Sequence, residues 1–283
     1  MNKFSAAVGI AAVLAVSTLA GSAGATTYNT LYIHGRTTSP ATPSGSSYWN
    51  NSSGTSIAKG SSIVYVNYNG NQHISQSNPT VTSALNTYCT GTTACVIACH
   101  SAGCLQIGYS IANKTGAKYN IYSIVTAGAA DGGSELAGNT AYFFTGESID
   151  LDLAISTSRG MYNHDLAGDN ITNYVYNELG GDWAALTTCL FEGGCAGGGG
   201  QNDSAVSFQS SGEFRNSGTE GSDGATGTTG GTWWDYRIAW RVDTSDTYGH
   251  CIIGSYPCEQ GGSSWAPNGV ASEMAYDING NSW

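Results

Sequence analysis

Apolar positions along this chain gather in short β-branched and aromatic runs, each cut off by small or turn-forming residues. Asn29–Ile33 reads as a buried strand and ends in His34-Gly35-Arg36. Thr37 to Thr55 follows as a Ser/Thr/Pro/Gly/Asn loop that carries Tyr48 and Trp49. Ser62–Tyr68 is a second strand, closed by the turn residues Asn69-Gly70-Asn71. Pro79–Tyr88 is predicted to be a helix, with Asn78 as N-cap and Pro79 at its first position. Ala94–Cys99 is an apolar run that stops abruptly at His100-Ser101-Ala102-Gly103, and Leu105–Ala112 continues at helical spacing. Tyr119–Val125 is a further strand, ending in Thr126-Ala127-Gly128. Strands that alternate with helices predict an α/β architecture, a mainly parallel central sheet with helices on both faces. Farther on, Ile171–Leu179 has apolar residues at helical spacing, and Cys195–Asp203 and Gly212–Gly231 read as glycine-rich or polar loops. Trp233–Val242 alternates and is aromatic, as a late strand would, and Thr247-Tyr248-Gly249-His250 comes shortly after it.

The first 25 residues stand apart. Lys3 supplies a positive start, Phe4–Leu19 is almost wholly apolar, and Ala23-Gly24-Ala25 is a small-residue cleavage pattern before Thr26. This predicts a signal peptide over 1–25 and an exported protein, extracellular or periplasmic, with no stable membrane anchor. About 258 of the 283 residues then remain, read as one domain over 26–283, since no linker or internal repeat divides them. The net charge of −11 becomes more negative once Lys3 is removed, which excludes nucleic acid and anionic membrane surfaces as partners. Eight cysteines in an exported chain predict disulfides, and they fall into four sequence-local couples. These are Cys89/Cys95, Cys99/Cys104, Cys189/Cys195 and Cys251/Cys258. None has the spacing of a zinc site, and no metal or other cofactor is expected.

A buried strand, a serine between small residues and then a helix form the setting of a G-x-S-x-G nucleophile elbow, with Cys99 in place of the first glycine. A serine hydroxyl is too weak an acid to attack unaided, so Ser101 needs a histidine base held by a carboxylate. The chain has five histidines, and only His164 and His250 follow Ser101. His250 lies in a Gly-containing loop after the late strand and leaves ample chain upstream for an acid, so it is preferred to His164. For the acid, Asp203 follows a flexible loop in a turn tripeptide, with Asp131, Asp165 and Asp169 as rivals. An oxyanion needs donors as well. The backbone N–H of Ala102 is one, and that of Arg36, in the loop after the first strand, is the other. His100 faces the wrong way for a base and is read as a packing residue or one that supports the site from behind.

Three segments then fall into a familiar order. They are Leu31-Tyr32-Ile33-His34-Gly35, Cys99-His100-Ser101-Ala102-Gly103 and Asn202-Asp203-Ser204-Ala205-Val206-Ser207-Phe208-Gln209-Ser210-Ser211-Gly212. Together they resemble secreted bacterial lipases and esterases of the α/β-hydrolase fold. The third is similar to that family's Asn-Asp-Gly-x-Val-x-x-x-Ser-Ser-x-Gly pattern, and residues 126–137 to its Thr-x-x-x-Pro-His-x-Gly-Ser segment. The resemblance implies an α/β-hydrolase fold with a minimal N-terminus, Ser101 as nucleophile, Asp203 as acid, His250 as base, and Arg36 and Ala102 as oxyanion donors. Ser204 and Ala129-Ala130-Asp131 depart from the family pattern, and the tail after His250 has no counterpart in it. Some of these lipases bind a structural calcium near the base loop. Asp243 and Asp246 are the carboxylates within reach of such a role, though no spacing demands one.

The expected partner is an ester, small or polymeric, cleaved by a monomeric enzyme through an acyl-enzyme on Ser101. Tyr48, Trp49, Trp233 and Trp234 are candidates to bind an acyl chain or polyester surface, with core packing as the plainer reading. Two alternatives remain. One is a feruloyl-esterase or tannase-like enzyme, in which a disulfide links the neighbours of Ser and His. The other is a non-catalytic secreted binding protein on a hydrolase scaffold. A disulfide between Cys99 and Cys104 is predicted to brace the base of the serine turn.

Overall fold

In a computed structural model the chain is described over residues 28–37, 41–43, 48–49, 62–134, 137–139, 145–164, 166, 169–179, 206, 210, 225–227 and 240–245. The β-branched and aromatic runs are its strands. They are β1 (Tyr28–Ile33), β2 (Ser62–Val66), β3 (Ala94–His100), β4 (Ile121–Ala127), β5 (Ile171–Leu179), β6 (Ala225–Gly227) and β7 (Trp240–Ser245). One sheet holds them in the order β2-β1-β3-β4-β5-β7-β6. The pairings from β2 across to β7 are parallel, and β6 closes antiparallel on β7. The described helices are α1 (Ile74–Tyr88), α2 (Ala102–Ala112), α3 (Ile149–Asp152) and α4 (Ile155–Gly160).

β3 explains why the sequence shows an unbroken apolar run there: all seven of its residues are buried, as in a strand covered on both faces. Cys95, Ile97 and Cys99 pack with Val81 and Leu85 of α1 and Cys104, Ile107 and Ile111 of α2. Val96 and Ala98 face the opposite way, against Tyr32, Tyr48 and Trp49. Register aligns the C-terminal ends of the strands, with Ile33 beside Cys99, His100 beside Ala127, Ala127 beside Asn177 and Asn177 beside Asp243. The loops that leave these ends share one rim of the sheet, the place where parallel α/β sheets carry their sites.

Several expectations change. The helix predicted from Pro79 begins five residues earlier, at Ile74, with Pro79 inside it. Its first N–H is capped from a distance: the Ile74 amide donates to Asp152 Oδ2 at 2.6 Å. An internal proline costs about 3 kcal/mol. Burying Ile74, Val81 and Leu85 at about 1.5–3 kcal/mol each outweighs it. Asn78 is therefore no cap. It is buried and donates from Nδ2 to the Gln106 backbone and side-chain oxygens, both at 2.8 Å, tying α1 to α2.

Ile171–Leu179 is β5, a strand and not a helix, hydrogen-bonded between β4 and β7. Part of the predicted Gly212–Gly231 loop is the short strand β6. The late strand falls at Trp240–Ser245, later than Trp233–Val242, and Trp233 and Trp234 lie outside the described residues. Among the described residues α1 and α2 cover the same face of the sheet, and Tyr48 and Trp49 cover the other. Tyr48 and Trp49 are core residues, 2% and 0% exposed, and do not form an acyl-binding surface. Cys89–Cys95 and Cys99–Cys104 are disulfides, as their spacing predicts. Cys189, Cys195, Cys251, Cys258 and the leader over 1–25 lie outside the described residues. No described helix is long and apolar enough to cross a membrane.

Candidate active site

Ser101 occupies the turn between β3 and α2 with φ 54° and ψ −132°, a backbone conformation few non-glycine residues adopt. Such a conformation costs about 1–3 kcal/mol and persists only where its surroundings enforce it. The surroundings are specific here. The Ser101 N–H donates to the Ala127 carbonyl at 3.2 Å, and the Ser101 carbonyl accepts from Cys104 N–H at 3.0 Å and Ala130 N–H at 3.1 Å. The Cys99–Cys104 disulfide closes the base of the turn, so the cysteine at the elbow's first position is a brace.

Space enforces the same geometry. A Cβ on Gly103 would sit 2.4 Å from the His34 carbonyl oxygen and 2.5 Å from that of Ile33, so only glycine lets α2 begin against β1. A Cβ on Gly35 would sit 2.5 Å from Ser101 Cβ. The loop after β1 therefore lies directly on the serine, and Arg36 and Ala102 are the residues that follow the two contacting positions. Ala102 is the first residue of α2, so its N–H has no intrahelical carbonyl to meet.

The β1 loop is fixed by side chains that come from several parts of the chain. Tyr48 Oη accepts from Gly35 N–H at 3.0 Å and hydrogen-bonds His100 Nδ1. The Tyr68 hydroxyl donates to the His34 carbonyl, and its ring stacks on His34 at 4.0 Å. Asn71 Oδ1 accepts from Thr37 N–H at 3.2 Å. Arg36 forks onto Asp150, donating from Nε to Oδ1 at 2.6 Å and from Nη2 to Oδ2 at 3.1 Å. Asp150 also accepts from the Thr145 hydroxyl at 2.5 Å. Asp150 is 114 positions from Arg36, so no local pattern could have revealed the pair. Burial pushes the His34 imidazole down to about 4, against the pull of the Gly35 and Tyr68 carbonyls, so the ring is neutral near pH 7.

The other candidates separate. His164 is buried with Nε2 3.1 Å from the Ser158 carbonyl. Burial pushes it down to about 4, against the Ser158 carbonyl and with the Arg159 charge adding to it. A histidine that weakly basic is a poor general base near neutral pH. Asp169 pairs with Lys118. It lies just before β5, where the Asn170 carbonyl accepts from Ile121 N–H at the start of β4. That is the opposite end of the parallel sheet from Ser101, about 20 Å away along a strand of this length. Asp169 is thus no partner for the serine.

Asp131 is buried in the loop after β4, next to Ala130, which bonds the Ser101 carbonyl. Asp165, Asp203 and His250 lie outside the described residues, as does Asp246. Two residues near Asp203 in sequence are described. Val206 packs with Ala102 and Leu105 of α2, and the Ser210 carbonyl accepts from Gly132 N–H at 2.8 Å. Among the described residues no three His, Cys, Asp or Glu side chains converge. Cys99 is bonded to Cys104 and is not joined to Cys251, which removes the tannase-like arrangement for this serine.

The sequence matches no protein-family model. It also matches no curated protein. Among solved structures the chain is similar to the metagenomic carboxyl esterase MGS0156, with a TM-score of 0.55, 12% identity, and coverage of 90% of this chain and 76% of that one. The lipase BlEst2 of Bacillus licheniformis aligns in its mature form with a TM-score of 0.46, 13% identity, and coverage of 73% of this chain and 84% of that one. Its propeptide form gives 0.47 and 14%, with coverage of 65% of this chain, which spans 43% of that longer one. At these identities the likeness to the carboxyl esterase is one of fold: a mostly parallel sheet with helices.

Proposed function

We propose that this protein is a secreted serine hydrolase of the α/β-hydrolase fold that cleaves carboxylic esters through an acyl-enzyme on Ser101. The observation that carries the reading is the strained serine at the β3–α2 turn, held on three sides and pressed against the loop that bears Arg36. Ser101 attacks the ester carbonyl and His250 takes its proton. The N–H groups of Arg36 and Ala102 receive the developing oxyanion, and Asp203 orients the base. His250 returns the proton to the leaving alcohol, and water then releases the acid by the same route.

For His250, support comes from β7, which runs parallel to β3 and ends at Ser245, on the rim where Ser101 lies. For Asp203, it comes from the packing of Val206 on Ala102. Asp131 is a second reading for the acid, favoured by its burial next to the residue that bonds the Ser101 carbonyl. The fold shared with a carboxyl esterase supports an ester as substrate. The leader over 1–25 and the disulfides support export, and a single monomeric domain over 26–283 completes the proposal.

A panel of p-nitrophenyl esters from acetate to palmitate, run beside clearing of a polyester film, tests the activity and its chain-length range. Ser101→Ala is expected to abolish hydrolysis with folding intact; retained hydrolysis removes Ser101 as nucleophile. Asp203→Asn and Asp131→Asn decide the acid: the true partner loses about 10⁴-fold in kcat and the other stays within a few-fold.

A further inference from the structure

Gly35 precedes the proposed oxyanion donor Arg36, and His100 precedes the proposed nucleophile Ser101. One buried side chain touches both, and it comes from neither element. Tyr48 is 2% exposed among Tyr32, Trp49, Val96 and Ala98, on the face of the sheet opposite α1 and α2. Its hydroxyl oxygen accepts the Gly35 N–H at 3.0 Å and is hydrogen-bonded to His100 Nδ1.

The Tyr48 hydroxyl can serve both neighbours in either tautomer of His100. A phenol has one proton to give. Its oxygen also has two lone pairs, so it holds Gly35 N–H and His100 Nδ1 together whether Nδ1 takes that proton or donates its own. Burial pushes the Tyr48 hydroxyl well above its ordinary pKa, so it stays a phenol. The imidazole is anchored in turn, because His100 ends β3 in register with Ala127 of β4. The His34–Gly35 peptide, whose N–H lies one residue before that of Arg36, is thus tied, through one hydroxyl, to the residue that leads into the serine.

We propose that Tyr48 is the positioning residue of the oxyanion site, holding the His34–Gly35 peptide, and with it the Arg36 N–H one residue on, at a fixed height over Ser101 through the relay of Gly35 N–H, Tyr48 Oη and His100 Nδ1. This rests on the ester-hydrolase reading above. Tyr48 touches no reacting atom. Its effect is to keep the Arg36 N–H where the oxyanion forms, and a donor displaced by about 1 Å loses most of its value.

The test uses the mature protein and p-nitrophenyl butyrate, with active sites counted by fluorophosphonate titration so that kcat refers only to folded enzyme. Wild type that is neither labelled at Ser101 nor active refutes the parent reading, whatever Tyr48 does. With wild type labelled and active, Tyr48→Phe keeps the ring and removes the hydroxyl. It is expected to lower kcat about 10- to 100-fold with KM within two-fold. Affinity for an alkyl trifluoromethyl ketone, which forms the same oxyanion, is expected to weaken by the same factor as kcat/KM. A kcat within two-fold of wild type, a loss confined to KM, or unchanged ketone affinity overturns the proposal. The relay is also probed from its other end. His100→Asn keeps a hydrogen-bonding group near the Nδ1 position and His100→Leu does not, so the leucine variant is expected to be at least five-fold slower per titrated site. Equal rates for the two overturn the proposal even where Tyr48→Phe fails to fold.

Discussion

Gly103→Ala puts the smallest side chain at the tightest point of the elbow. The new Cβ would lie 2.4 Å from the His34 carbonyl oxygen and 2.5 Å from that of Ile33, where ordinary contact begins at 3.4 Å. Both obstacles are backbone, so no rotamer change relieves them, and α2 must withdraw from β1 by about 1 Å. Overpacking of this kind costs roughly 1–3 kcal/mol, and two backbone clashes place this variant at the upper end. At about 2–4 °C per kcal/mol for a chain of this size, Tm is expected to fall by roughly 6–12 °C. The same withdrawal carries the Ala102 N–H away from the β1 loop, and kcat per titrated site is expected to fall about 10²-fold. Gly160→Ala is the control: nothing lies within 4 Å of its Cβ, so Tm is expected to stay the same or rise slightly. Scanning calorimetry and p-nitrophenyl butyrate kinetics on the two variants decide the matter. A Gly103→Ala protein with wild-type Tm and kcat refutes the close approach of α2 to β1.

The Cys99–Cys104 brace closes a loop of sequence separation five, for which chain entropy gives about 2 kcal/mol. The Cys99→Ala/Cys104→Ala double variant is expected to unfold at correspondingly lower guanidinium concentration, and an unchanged midpoint contradicts this. Asp150→Ala leaves the Arg36 guanidinium, 16% exposed, without its carboxylate and is expected to cost about 3 kcal/mol in urea unfolding. Arg36→Met/Asp150→Leu, which removes both charges, is expected to cost less than Asp150→Ala alone; a larger loss in the pair speaks against a buried ion pair. His34 and His164 are held neutral with pKa values lowered from 6.5 to about 4. Their contribution is fully present above pH 6.5 and is lost as pH falls from 6.5 to 4, because the unfolded chain binds the extra protons. Each accounts for on the order of 3 kcal/mol over that window, so His164→Asn is expected to flatten the acid slope of unfolding free energy, and an unaltered slope refutes its neutrality in the fold.

What could be read from the chain was what neighbours in sequence decide. The unit from Ala94 to Ala112 is local: a strand buried on both faces, a serine among small residues, a helix. Its disulfide spans five positions and was legible for the same reason. β5 was misread because Ile171, Tyr174, Val175 and Leu179 fall at helical spacing. A strand in the middle of a parallel sheet need not alternate, so periodicity could not correct this, and only the β-branched and aromatic content of Ile171–Tyr176 pointed the other way. The start of α1 was misplaced because its cap, Asp152, lies 78 positions beyond Ile74. The supports of the β1 loop are not legible in sequence: Tyr68 and Asp150 carry no local signal and Tyr48 reads as an acyl-binding or packing residue, because each acts across a long stretch of chain. Sequence spacing identified the serine and its turn, whereas the side chains that hold the facing loop became visible only in the folded chain.

The central claim is that Ser101 is a nucleophile. Incubation of the folded mature protein with a fluorophosphonate, followed by peptide mapping, tests it most directly. One phosphonylated serine per molecule is expected, at Ser101, with ester hydrolysis lost in proportion to labelling and no labelling after denaturation. Folded protein that remains unlabelled, or is labelled at another serine while it hydrolyses esters, contradicts it.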